Sequence, residues 1–335
     1  MTTHFTRRQT LVAGAGLAAA ALMPRFARAQ AAATRWQMAT AYPDGNFHTR
    51  NTRAFVEAVQ TATGGRLAVQ LHSNATLLPM PQIKRGVQQG QVQLGEILLS
   101  AYGNEDPFFE VDGIPQLVTN YAQARRLADL ARPYIEARFQ RQGISLLYMV
   151  PWPPSGFYTN TPVDTIEALR GTRMRTFNTM TNRFATLVGA APTLVQQAEV
   201  PQAFATGVVN AMVTSAATGV DTQAWDYAKI FTPVGFTFTR NAVFVQRRAL
   251  EALSTADQAA LRSAATAAEA SGWAASEDAM TSAQTLLASR GVTVATPTPA
   301  LLEGLARISA GMVDEWVSRT GEDGQKLIAA YRAGA

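Results

Sequence analysis

The 335-residue sequence has no cysteine, only three histidines, and 16% charged residues. The missing cysteine excludes disulfides, thiolate nucleophiles and a lipid-bearing thiol together. The histidines, His4, His48 and His72, have no i, i+4 pairing, so no zinc-type ligand set is spelled out and no metal site is expected. There is no G-x-S-x-G elbow, no phosphate-binding G-x-x-x-x-G-K-[ST], and no G-x-G-x-x-G opening a βαβ unit. Those gaps argue against an enzyme and against a cofactor. No internal repeat is visible. The longest apolar run near the N-terminus, Leu11 to Leu22, is twelve residues, short of the about 20 that a spanning helix needs.

What is present begins with an export signal. Thr6-Arg7-Arg8-Gln9-Thr10 precedes the apolar run, and Ala27-Arg28-Ala29 has the A-x-A form of a signal-peptidase site. Twin arginines before a mild Ala/Gly-rich core point to a Tat-like address, with an ordinary Sec signal as the alternative. Residues 1–29 are therefore expected to be removed, leaving a periplasmic protein that starts near Gln30. The signal also explains the apparent basicity. Its ionised residues are Arg7, Arg8, Arg25 and Arg28, so the formal +5 of the whole chain falls to +1 beyond it. Such a balance asks for no nucleic acid. The 47% hydrophobic content is that of a globular chain long enough for two cores.

The stretch from Leu169 to Phe231 sets the architecture. Gly171 opens the alternating strand Thr172 to Phe177, and Asn178 to Thr181 can cap a helix beginning near Asn182 and ending at Gly189. Thr193 to Val195 gives a short strand, Glu199 to Ala205 a helical turn or two closed by Gly207, and Val208 to Val213 a third strand. Short strands alternating with short helices imply a parallel sheet, with ligands at the carboxyl ends of its strands. Arg175 with Asn178 stands at the first such end, and Thr214 with Ser215 at the third.

Elsewhere the chain repeats this grammar. Trp36 to Tyr42 leads through the turn Tyr42-Pro43-Asp44-Gly45-Asn46 into a helix from Phe47 to Thr63, and Arg66 to Leu71 forms the next strand. Asn46 and the free amides at that helix start are natural partners for an anion, or Asn46 simply caps the helix. Val92 to Ser100 is an apolar strand interrupted by Glu96, a carboxylate costly to bury unless paired or functional; Tyr102 and Asn104 follow at its end. Tyr121 to Gln142 is one long helix and Ile144 to Val150 another strand. Pro151-Trp152-Pro153-Pro154 then makes a stiff crossover with Trp152 facing the cleft. Val234 to Gln246 is expected as a long strand re-crossing to the first lobe. Ser254 caps a helix running from Ala256 to about Ser289, its apolar face shared between both halves.

The order GTRMRTFN, LVGAAP, PQAFATG and VVNAMVTS resembles the second domain of the solute-binding proteins of tripartite ATP-independent periplasmic (TRAP) transporters. The resemblance extends to IKRGVQQGQVQLGEILLS and LSTADQAALRSAA and covers about Trp36 to the C-terminus. It implies an α/β, two-lobed periplasmic binding protein fold, each lobe a mainly parallel sheet flanked by helices, with a long helix bracing both. The first lobe would take 30–151 plus about 240–275, and the second 152–239 plus about 276–335. The function it implies is capture of a small organic carboxylate and its delivery to membrane permease subunits, with an exported sensor or enzyme on the same fold as the alternative.

In that family the arginine matching Arg175 grips the ligand's carboxylate, for which a planar guanidinium is a matched donor fork. Arg170 and Arg173 lie close by but fall in a turn and at a strand start. Asn178 and Thr179 can reach a second oxygen. Thr214 and Ser215 replace acidic and amide residues common in dicarboxylate and sugar-acid members, and Pro154-Ser155-Gly156 stands where many carry a second arginine. One cation beside hydroxyls and Trp152 suggests a monocarboxylate with an apolar or aromatic body. Tyr42, Asn46, Glu96 and Tyr102 complete the expected site, and Trp225, sharing a helix face with Asp221, is a candidate back wall.

Overall fold

The computed structural model describes residues 33–334, so the expected export signal over 1–29 lies outside the described residues. The first part of the chain runs β1 (Thr34–Ala39), α1 (Phe47–Ala62), β2 (Leu67–His72), α2 (Met80–Gln88), β3 (Leu94–Leu98), α3 (Tyr121–Arg141) and β4 (Ile144–Pro151). It continues through β5 (Ser155–Thr159), β6 (Arg173–Thr176), α4 (Thr179–Leu187), β7 (Ala191–Leu194), α5 (Val200–Ala205), β8 (Ala211–Ser215), α6 (Ala216–Asp221) and β9 (Ile230–Thr232). The return comprises β10 (Arg240–Gln246), α7 (Arg247–Glu251), α8 (Thr255–Ser289), β11 (Thr293–Val294) and α9 (Pro299–Arg332).

Two sheets result, one per lobe, in the orders β2-β1-β3-β10-β4 and β11-β9-β5-β8-β6-β7. Within each, neighbours are parallel except around one strand: β10 is antiparallel to β3 and β4, and β5 is antiparallel to β8 and β9. Those two strands are the first that the chain makes after each passage between lobes. A chain that leaves one sheet and enters the other without a helical crossover arrives in the opposite direction. The two passages also bond to each other, Trp152 N to Thr239 O at 2.7 Å and Ser155 N to Thr237 O at 3.1 Å. The strand expected over Val234 to Gln246 is thus shorter, beginning at Arg240, because its first half belongs to this pair of crossovers.

α8 is continuous from Thr255 to Ser289, capped by Ser254, whose side chain accepts from Asp257 N. It lies on α1 and β4 in the first lobe and on α6 and β11 in the second. Asn51 of α1 donates to Ala268 O at 3.0 Å, and Trp273 Nε1 donates to Met149 O at 3.0 Å. Gly272 is helical and allows close approach: a Cβ there would run into Val150 and Asn51. α9 packs on α3, and its Trp316 donates to Pro107 O at 2.7 Å while Gly304 meets Ile166. One core runs through the first lobe and on to Phe157 and Phe184 past the crossovers; a second, smaller one gathers Tyr158, Val200, Met212 and Phe231.

Candidate functional site

Arg175 lies near the carboxyl end of β6, between β7 and β8, and is 3% exposed. Its Nε donates to Val195 O at 3.0 Å, which fixes the plane of the guanidinium and leaves the terminal nitrogens for other partners. Among the described residues no carboxylate forms an ion pair with it, and burial pushes its pKa down to about 10. A guanidinium so desolvated is poised for an anion.

Around it is a cavity of about 170 Å³ between the lobes. The first lobe supplies Tyr42, Met80, Leu98 and Ala101; the two crossovers supply Trp152, Ser155 and Thr239; the second lobe supplies Arg175, Phe177, Gln196, Thr214, Ser215 and Thr218. Trp152 stands edge-on to Tyr42 at 5.0 Å between ring centres and to Phe47 at 5.5 Å. The hydroxyls of Ser155, Thr214 and Thr239 form no side-chain hydrogen bond among the described residues, whereas Ser215 is occupied as the cap of α6, accepting from Thr218 N at 3.1 Å. The lining therefore combines aromatic rings with free hydroxyls and a single cation.

Of the residues singled out from the sequence, Arg175, Trp152, Thr214, Ser215 and Tyr42 meet in this cavity. Five others are spent nearby. Asn178 caps α4, accepting from Thr181 N at 2.8 Å, and its Nδ2 donates across the cleft to Ser100 Oγ at 2.9 Å; the helix accordingly starts at Thr179 rather than near Asn182. Asn46 caps α1 and its Nδ2 donates across the cleft to Asp221 Oδ2 at 2.5 Å. Glu96 sits behind the cavity wall, accepting from Thr40 Oγ1 at 2.6 Å and Asn241 Nδ2 at 3.0 Å. Tyr102 donates to Met80 O and accepts from Lys84 N. Thr179 bonds to Glu110 of the first lobe. These bonds between lobes define a closed cleft.

Burial raises Glu96, though its hydrogen bonds oppose the shift, and lowers His48, which lies 3.5 Å from Glu96 with both ring nitrogens unpartnered among the described residues. Asp221, at the contact between lobes, is raised to about 6 by burial against the opposing bonds of Asn46 and Gln197. Arg170 and Arg173 face solvent, Arg173 donating to Gly207 O at 2.8 Å. Trp225 does not line the cavity: Gln223 takes a left-handed φ of 52°, breaks the helix after Asp221, and turns Trp225 toward Arg290. No group of His, Asp and Glu able to hold a metal occurs among the described residues. Ser155 entered the sequence reading only as part of the stretch that stands where relatives carry a second arginine, and Thr239 had no signal beyond its position in the return crossover.

Comparison with known proteins gives a consistent picture. The model of the family described as bacterial extracellular solute-binding protein, family 7, matches residues 38–319. A solute-binding protein of Albidiferax ferrireducens is 25% identical over 235 residues, 68% of either chain. Two solved structures of Bordetella pertussis extracytoplasmic solute receptors described as binding pyroglutamic acid, DctP6 and DctP7, are 41% and 44% identical. Each superposes with a TM-score of 0.88 over 90% of this chain and 100% of its own. A marine metagenome TRAP solute-binding protein described as specific for pyroglutamate is 33% identical, with a TM-score of 0.87 over 90% of this chain and 99% of its own.

Proposed function

The chain belongs to the bacterial extracellular solute-binding proteins of family 7, receptors rather than enzymes, and from that membership we propose that it captures a small organic monocarboxylate of pyroglutamate type in the periplasm and delivers it to the permease subunits of a TRAP transporter. The observation that carries the reading is Arg175, a buried guanidinium lining the interlobe cavity with no carboxylate partner among the described residues. Its free nitrogens match the two oxygens of one carboxylate.

The rest of the lining favours one acid group over two. A second carboxylate would need a second cation, and Glu199 stands in the lining instead. Ser155, Thr214 and Thr239 suit the N–H and C=O of a small cyclic amide, while Trp152, Tyr42 and Phe177 suit its apolar ring faces. The acid described for the three pyroglutamate-binding relatives has this make-up. Asn46, Asn178 and Thr179 act in this reading as contacts between lobes that form on closure, and Glu96 and Tyr102 as supports behind the wall. The lobes divide as the two sheets divide, and the paired passages at Trp152–Ser155 and Thr237–Thr239 are the hinge.

The test is a calorimetric titration of the mature protein with L-pyroglutamate, aliphatic and aromatic monocarboxylates, succinate and malate, with Arg175→Ala alongside. L-pyroglutamate should bind most tightly, and Arg175→Ala should lose about 2–5 kcal/mol of that affinity, the penalty for removing one partner of a buried charge pair. Tighter binding of succinate or malate would overturn the monocarboxylate reading, and unchanged binding in Arg175→Ala would overturn the site.

A further inference from the structure

Behind the aromatic wall, side chains from four distant segments share one amide. Asn241, the second residue of β10, is 2% exposed. Its Oδ1 accepts from Trp152 Nε1 at 2.8 Å and from Tyr42 OH at 3.2 Å, and its Nδ2 donates to Glu96 Oε1 at 3.0 Å. Glu96 Oε2 is in turn held by Thr40 Oγ1 at 2.6 Å. Sheet register explains the meeting. Asn241 lies opposite Leu98 on one side and Val150 on the other. Side chains two apart along a strand share a face, so Glu96 and Trp152 fall diagonally beside Asn241, on the face that presents Leu98 to the cavity.

We propose that Asn241, backed by Glu96, is the positioning and specificity residue of the binding cavity. It holds Trp152 and Tyr42 in one orientation and takes up their polar hydrogens, so that this wall offers the solute ring faces and no donor. The proposal rests on the reading of the cavity as the carboxylate site and adds to it a reason for the apolar side of the pocket. Only a group with both an acceptor and a donor meets the demands here. A leucine would leave an indole N–H, a phenol and a carboxylate unpartnered, and an aspartate would set two carboxylates at hydrogen-bond distance.

The chemistry permits a swap. In Asn241→Asp the donor to Glu96 is lost and the two carboxylates repel. In the double variant Asn241→Asp/Glu96→Gln the amide and the acid have exchanged places, and the new amide donates to an aspartate that still accepts from Trp152 and Tyr42. Wild type, both variants and Arg175→Ala are titrated with L-pyroglutamate, and the indole N–H resonance of Trp152, identified by its loss in Trp152→Phe, is followed in each unliganded protein. Asn241→Asp should weaken binding by at least about tenfold and move the resonance, while the swap should return affinity to within about threefold of wild type and restore the resonance.

Wild-type affinity in Asn241→Asp, with binding abolished in Arg175→Ala, would overturn the positioning role and leave the ligand site standing. A folded swap variant as weak as Asn241→Asp would overturn it too, and would decide the matter alone if Asn241→Asp does not fold. If the wild type ignores L-pyroglutamate, the ligand reading falls separately; an unmoved indole resonance in unliganded Asn241→Asp then overturns the positioning role.

Discussion

Asp221 illustrates what closure does to a single side chain. Its carboxylate lies on the second lobe and accepts hydrogen bonds from Asn46 of the first and from Gln197 of its own. Burial at the lobe contact raises its pKa to about 6, so the closed form holds a proton more tightly than an open form in which the group meets water. A raised acid pKa favours the closed form below its ordinary value, and that contribution fades as pH rises through about 6. Solute binding, which draws on closure, should therefore tighten by about three- to tenfold between about pH 7.5 and about pH 5. Asp221→Asn keeps an oxygen for Asn46 and Gln197 but cannot titrate, so its calorimetric affinity should lack that component; an identical pH slope in wild type and variant would reject the linkage. Residue by residue, the sequence disclosed groups that needed a partner more readily than the partner itself. Glu96 stood out as a charge in an apolar run, yet its partner Asn241 lies 145 positions away and is brought beside it only by the antiparallel pairing of β3 and β10.

At the scale of elements, α8 shows how one glycine sets a helix against a sheet. Gly272 is buried where α8 crosses β4 and α1, and any side chain there meets Val150, a β-branched residue fixed within its strand. Gly272→Val should destabilise the protein by about 1–3 kcal/mol through overpacking, in spite of a better helix propensity. Gly311, exposed on α9 with nothing near its missing Cβ, is the counterpart: Gly311→Ala should stabilise by up to about 1 kcal/mol. Paired denaturant titrations check both, and equal effects would mean that packing against β4 does not decide the first. Elements of this kind were largely legible, because caps and period are local: Ser254 started α8 and Gly189 ended α4 within a residue or two of expectation. The boundary of β10 was not. Residues 233–239 have the composition of a strand, but their hydrogen bonds go to the other crossover and to Gln116, a choice made by tertiary pairing.

For the whole molecule, the guanidinium proposed to grip an acid should also govern when the lobes come together. In the closed arrangement Arg175 is stripped of water, while an open cleft lets water solvate it. Until an anion arrives, the charge therefore favours the open form, and the bound carboxylate tips the balance by its differential affinity for the closed one. The contacts between lobes, Asn46 to Asp221, Asn178 to Ser100 and Thr179 to Glu110, pull the other way and are available with or without solute. Replacing the charge by an apolar side chain of similar length should leave those contacts unopposed. An uncompensated buried charge costs about 3–5 kcal/mol, enough when removed to shift a two-state population by about two to four orders of magnitude. Unliganded Arg175→Met should accordingly scatter X-rays with the smaller radius of gyration that the wild type adopts only with its acid bound, and adding that acid should change it no further. A variant as expanded as the unliganded wild type would mean that the guanidinium does not hold the lobes apart, and that closure is set by the hinge at Trp152 and Thr239 alone.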